Sequence, residues 1–109
     1  MKELLILICL VFLSCNEAVK TTSVIKKKIN CEECLVTKEE TAVGIAESVL
    51  FESYGKDQIE KQRPYNVSIE NDSIWHLKGT FWQIGCCGGT FEIDISAKDG
   101  RVKYMMHGK

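Results

Sequence analysis

The sequence predicts an α+β domain in which one N-terminal helix packs on a curved four-stranded antiparallel sheet. Three observations carry that expectation. Thr37-Lys38-Glu39-Glu40 has the form of a capping box and opens a stripe of apolar residues at helical spacing. After Pro64 the apolar period changes to two and stays there. Turn-forming clusters then divide the alternating run into strands, and 109 residues leave room for one such domain and no more.

The helix is expected from about residue 38 to 53. Thr37 can accept from the N–H of Glu40, whose carboxylate can reach back, and Ala42, Ile45, Ala46, Val49 and Leu50 form the buried stripe. Glu39, Glu40 and Glu47 lie off it. Gly44 weakens the helix by up to ~1 kcal/mol relative to Ala unless something packs close against it. Gly55, after Tyr54, supplies the stop. Ile59 can dock a short turn, and Pro64 ends helical tendency at Arg63.

Four inward-facing sets follow: Tyr65, Val67 and Ile69; Trp75, Leu77, Gly79 and Phe81; Phe91, Ile93 and Ile95; Val102, Tyr104 and Met106. Asn71-Asp72-Ser73 and Lys98-Asp99-Gly100 make turns, and Cys86-Cys87-Gly88-Gly89 interrupts the middle of the sheet. The sheet's apolar face needs cover, and the helical stripe is the cover at hand.

Ahead of this domain stands a different kind of segment. Lys2 precedes an apolar run from Leu4 to Leu13, then Ser14 and Cys15. The run is shorter than the roughly 20 apolar residues of a membrane-spanning helix and has the length of a signal-peptide core. Phe12-Leu13-Ser14-Cys15 resembles the bacterial lipobox, departing from it at Phe12, where Leu is usual. The expected organisation is therefore a signal peptide over 1–14, a lipidated tether over 15–36 and the globular domain over 37–109. Cys15 would carry the acyl chains that hold the protein to the cell envelope. Asn16 follows it in place of the Asp that favours inner-membrane retention in some bacteria, which points to the outer membrane.

Charge excludes one class of partner. The chain has 14 Lys plus Arg against 15 Asp plus Glu, and removal of residues 1–14 takes one of each. No basic field suited to nucleic acid is left. Cys31, Cys34, Cys86 and Cys87 remain after Cys9 and Cys15 are set aside, and in an oxidising compartment they suit structural disulfides. The favoured pairing joins the 31–34 segment to the 86–87 loop by two bridges. A four-cysteine zinc site is disfavoured because adjacent residues on an extended strand point to opposite faces. A redox Cys-x-x-Cys would want a helix starting at its first Cys, whereas the helix here begins after Thr37.

Ala42-Val43-Gly44-Ile45-Ala46-Glu47, Tyr54-Gly55, Arg63-Pro64-Tyr65, Trp75, Gly79-Thr80, Gly88-Gly89, Phe91-Glu92-Ile93 and Asp99-Gly100-Arg101-Val102 together resemble the small NTF2-fold immunity proteins of bacteria. The resemblance runs from about Thr37 to the C-terminus. It implies an NTF2-like, cystatin-like fold and a role in binding and neutralising a cognate toxin. The same helix-plus-sheet pattern is similar to PepSY-type inhibitory domains, which would imply inhibition of a protease or other envelope enzyme. A purely structural envelope lipoprotein is the remaining alternative.

Catalysis is not expected. His76 and His107 are the two histidines, and neither stands in a sequence context that supplies a nucleophile, a base and an orienting group. The glycines around residue 88 lack the Lys and Ser/Thr of a phosphate loop. No cofactor or metal site follows from spacing. The expected partner-binding surface is the outward sheet face, where His76, Lys78, Thr80 and Trp82 would lie beside Glu92 and Asp94. Trp82, on the polar phase of its strand, is its aromatic centre.

The anchor is testable directly. The wild-type protein is expected in the membrane fraction with a lipid-sized mass increment on Cys15. Cys15→Ser should release it to the soluble fraction without that increment, and an unlipidated, equally soluble wild type would refute the anchor.

Overall fold

In the computed structural model, the described residues are 26–82 and 88–108. Residues 1–14, Cys15, Cys86 and Cys87, and with them the expected signal peptide and lipidation site, lie outside these. No described helix is long and apolar enough to cross a membrane. The order of elements is α1 (Glu39–Tyr54), α2 (Lys56–Glu60), β1 (Asn66–Glu70), β2 (Ile74–Lys78), β3 (Phe91–Ser96) and β4 (Val102–His107). The strands form one antiparallel meander in the order β1-β2-β3-β4, as the sequence predicts.

α1 lies against β2 and β3. Ala42, Ala46 and Leu50, each four residues from the next, are fully buried; Val43, Ile45, Phe51 and Tyr54 pack at the margins. Two alanines at the centre of the contact let the helix axis approach the sheet closely. Trp75, Leu77, Phe91, Ile93 and Ile95 oppose them with no exposed surface, and Ile59 of α2 closes one end. Gly55 ends α1 at φ 94°, its N–H donating to the Phe51 carbonyl.

The helix start differs from the capping-box expectation. Lys38, not Thr37, is the N-cap residue, and no side chain caps it. The reason is tertiary: the Ile29 N–H donates to the Thr37 carbonyl, and the Glu39 N–H to the Lys27 carbonyl. The chain before the helix is thereby held extended against residues 27–29. Glu39 instead accepts from the Lys27 N–H at 3.0 Å, while Glu40 meets Lys26 at 3.5 Å.

Residues 26–36 are accordingly more than spacer. Lys28 and Lys38 form an antiparallel bridge, and Ile29 and Val36 are both 3% exposed within the core. Val36 and Leu35 donate backbone N–H groups to Ala97 and Lys98, and the Trp75 indole Nε1 donates to the Val36 carbonyl at 2.8 Å. This arrangement also decides the cysteines. Cys31 and Cys34 sit in the turn that reverses the chain, the Cys34 N–H donating to the Cys31 carbonyl, with Cα atoms 5.3 Å apart. They are bonded to each other, in place of the expected bridges to the 86–87 loop.

Two inward sets are also corrected. β2 ends at Lys78, so Phe81 leaves the sheet and is 53% exposed. In β4 a bulge opposite Asp94/Ile95 inserts Lys103, because Asp94 pairs with Tyr104 but Ile95 with Val102. Beyond it the facing reverses: Met105, opposite Ile93, packs on the core, and Tyr104 is 50% exposed. The turns behave as read. Asn71 and Asp72 take φ 53° and 57°, the left-handed values of a mirror-image turn closed by the Ser73 N–H on the Glu70 carbonyl, so the loop between the paired Glu70 and Ile74 has three residues; Asp99 Oδ1 accepts from the Arg101 N–H at 3.0 Å.

Two glycines should respond oppositely to alanine. A Cβ at Gly44 meets nothing within 4 Å, so Gly44→Ala should stabilise by about 0.5–1 kcal/mol. A Cβ at Gly79 would come to 2.2 Å from Gln62 Oε1 and 3.0 Å from Phe91 Cδ2, so Gly79→Ala should cost about 1–3 kcal/mol. Denaturant unfolding of both variants measures the contrast.

Candidate functional site

The face of the sheet away from α1 is built by the alternate residues of the strands. His76 on β2 is directly opposite Asp94 on β3 and Ser68 on β1, and Lys78 is opposite Glu92. The His76 ring is at the centre. Its Nδ1 lies 2.5 Å from Asp94 Oδ1 and 3.6 Å from Glu70 Oε1, while Nε2 lies 3.6 Å from Glu92 Oε1. His76 and Asp94 keep about a quarter of their side-chain surface exposed, Glu92 33% and Glu70 54%. One imidazole thus sits among three carboxylates, half-sheltered by the sheet. Because an ionised Asp94 can only accept, this contact calls for the tautomer that donates from Nδ1, with Nε2 toward Glu92.

Four of the six residues expected on this face are therefore brought together: His76, Lys78, Glu92 and Asp94. The other two turn away. The Thr80 hydroxyl donates to the Pro64 carbonyl, and the Trp82 indole Nε1 donates to the Arg63 carbonyl at 2.8 Å. Both side chains are drawn to the segment between α2 and β1 because β2 stops at Lys78. Trp82 keeps 61% of its surface exposed even so. With Phe81, Lys61 and Gly88 it lines a groove of about 410 Å³ at that end of the sheet.

Beside this groove a second polar group joins α1 to the segment that leads into β1. A single carboxylate oxygen of Glu47, Oε2, accepts from Arg63 Nε at 2.9 Å, Arg63 Nη2 at 2.5 Å and the Tyr65 hydroxyl at 2.5 Å. The hydrogen bonds to Glu47 hold the Arg63 guanidinium charged beyond its already high ordinary range. Burial, then the bond to the Glu47 carboxylate, pushes the Tyr65 phenol up to about 12. These groups, with Val43, Pro64 and Val67, line an open groove of about 600 Å³.

Sequence reading missed Glu70 and Glu47. Glu70 reaches His76 diagonally across β1 and β2, two residues beyond the direct partner Ser68, a relation that follows only from the register. Glu47 could be read as lying off the apolar stripe, but its partners are 16 and 18 residues away.

Comparison with known proteins bears on the whole sheet. The family described as "NTF2 fold immunity protein" matches residues 41–109. The chain is similar to the uncharacterized protein YhhH of Escherichia coli, 35% identical over 75 residues that make up 69% of this chain and 58% of YhhH. It is also similar to the uncharacterized protein YbbC of the same organism, 32% identical over 74 residues, 68% of this chain and 60% of YbbC. The chain thus spans less than two thirds of the length of either relative. No solved structure matches it.

The Tyr65 phenol supplies a pH test. Its folded value lies above the ordinary 10.0, so its contribution to stability is whole below pH 10 and is lost as pH rises toward about 12. Ultraviolet titration should find one tyrosine ionising near pH 12. Glu47→Gln, which removes the neighbouring negative charge, should bring it part of the way down and flatten the alkaline loss of stability.

Proposed function

The chain belongs to the NTF2 fold immunity proteins, and from that membership we propose that it binds a cognate bacterial toxin and neutralises it stoichiometrically, without chemistry of its own. The observation that carries the reading is the extent of the family match, which takes in α1 from Thr41 onward and every strand of the sheet. Two features of the surface support it. Trp82 and Phe81 expose apolar area beside a shallow groove, as the aromatic anchors of protein interfaces do. On the sheet face, Lys78 stands opposite Glu92, while Glu70 and Asp94 flank His76 further along, a mixed charge pattern that selects a partner by complementarity.

We further propose that the protein works at the cell envelope, held there by acyl chains on Cys15, with the outer membrane as its site. Its toxin would then act on the envelope or be intercepted in transit. The sequence Ser14-Cys15 after the apolar run supports this part of the reading.

Co-expression with candidate toxins from neighbouring genes tests the proposal. The mature domain should protect cells and form a stoichiometric complex with one of them. Trp82→Ala should weaken that complex by at least ~2 kcal/mol with little change in melting temperature, since the ring is mostly exposed. Charge reversal at Glu92 should alter mainly the association rate and its salt dependence. A domain that protects against none of these toxins and captures none would overturn the reading.

A further inference from the structure

The imidazole of His76 is surrounded by more carboxylates than it can satisfy as a hydrogen-bond partner. Glu70, Glu92 and Asp94 each find their nearest counter-group in this ring, and none makes an ion pair with a Lys or Arg among the described residues. By contrast, Glu40, Glu47, Glu60 and Asp99 are each within 4.0 Å of a Lys or Arg nitrogen. Glu92 and Asp94 also project from one face of the same strand, two residues apart, where like charges repel. Lys78 stands opposite Glu92 in the register, away from the Glu70 side of the ring.

We propose that this cluster is a metal site, in which His76 Nδ1 and one carboxylate oxygen each from Asp94 and Glu70 bind a zinc ion. The inference stands on side-chain geometry and is independent of the toxin reading. One ligand atom from each of the three residues lies within 4.8 Å of the others. Tetrahedral zinc with bonds of about 2.0–2.2 Å sets its ligand atoms about 3.4 Å apart. The observed separations from Nδ1, 2.5 Å to Asp94 and 3.6 Å to Glu70, lie on either side of that spacing. Side-chain rotation alone can therefore open the cluster around an ion.

The chemistry of the donors selects the metal class. An imidazole nitrogen favours zinc and its neighbours over magnesium or calcium, which take oxygen ligands. Binding at Nδ1 displaces the proton there, and the neutral ring takes up one proton at Nε2 instead, a change of tautomer with no net proton released, so that the Nε2–H faces Glu92 at 3.6 Å. A carboxylate behind the distal nitrogen of a ligating histidine fixes the tautomer and the ring angle. Glu92 is thus the positioning residue. Three protein ligands leave a fourth position open to solvent on the exposed side of the sheet, available to water or to a donor from outside the chain.

Titration calorimetry of the mature chain with zinc alone tests this, after free thiols have been alkylated so that cysteine cannot contribute. One ion per chain is expected, at tens of micromolar or tighter, with the His76 ring signals shifting in proportion in NMR spectra. Magnesium should give neither effect. Glu92→Gln should weaken zinc binding about tenfold, the usual effect of losing an outer-shell partner, and His76→Gln or Asp94→Asn should weaken it further. Melting curves identify any variant that fails to fold, and the two ligand variants check one another. Binding only at millimolar zinc, or affinity unchanged in a folded His76→Gln or Asp94→Asn chain, would overturn the proposal. No toxin is present in the experiment, so its outcome leaves the immunity reading where it stands.

Discussion

The side chain of Gln62 holds one end of the molecule together. It is 6% exposed, and its amide is used on both sides. Oε1 accepts the Phe91 N–H at 2.9 Å, and Nε2 donates to the Gln58 carbonyl while meeting His107 Nε2 at 3.0 Å. Its backbone carbonyl accepts the Thr80 N–H. One residue after α2 therefore touches the end of β2, the start of β3 and the end of β4. Buried amides left unpaired cost more than the bonds contribute when made, so such a group specifies position more than it adds stability. Gly79 is a consequence, because no side chain fits where the Gln62 amide crosses β2. The Trp82 contact with Arg63 follows as well, since α2 and the 62–64 segment lie where Gln62 places them.

The same dependence explains what could be read in advance. The helix, the four strands and the meander are visible in periodicity and turn residues, because each reflects a local preference agreeing with the final structure. The failures occur where a distant segment overrides a local signal. Thr37 has the chemistry of a cap, but its carbonyl is engaged by Ile29 and the cap passes to Lys38. Tyr104 and Met106 keep perfect alternation, yet an unpaired Lys103 reverses their facing. Cys31 and Cys34 read as partners for another loop until the hairpin formed by residues 28–38 brings them together. Of the candidate surface, the cross-strand members were legible from phase alone. Thr80 and Trp82 were not, because their positions depend on where β2 ends.

The two faces of the sheet have divided tasks. The inner face and α1 enclose a core of aliphatic and aromatic side chains whose central members have no exposed surface. Nothing in that interior resembles a substrate cleft, and the grooves of the described residues lie outside it, at the margins of α1 and the sheet. That is consistent with an immunity protein, whose proposed task is to present a rigid patch to a toxin and to form it before the partner arrives.

Rigidity is what the His76 cluster draws from the fold. From Asn66 to Lys78 and across to Ser96 the pairing of β1, β2 and β3 is unbroken. The register shift falls only between β3 and β4, beginning at Asp94/Ile95. The three strands that supply Glu70, His76 and Asp94 thus share one uninterrupted register, and the irregularity is displaced to the fourth. A slip of one residue in β2 would carry His76 into the core and bring Trp75 and Leu77 to the surface, at the loss of two fully buried side chains. The hydrophobic face therefore fixes the polar one: the apolar residues that hold the register also hold an imidazole among carboxylates, at spacings that side-chain preference alone would not maintain.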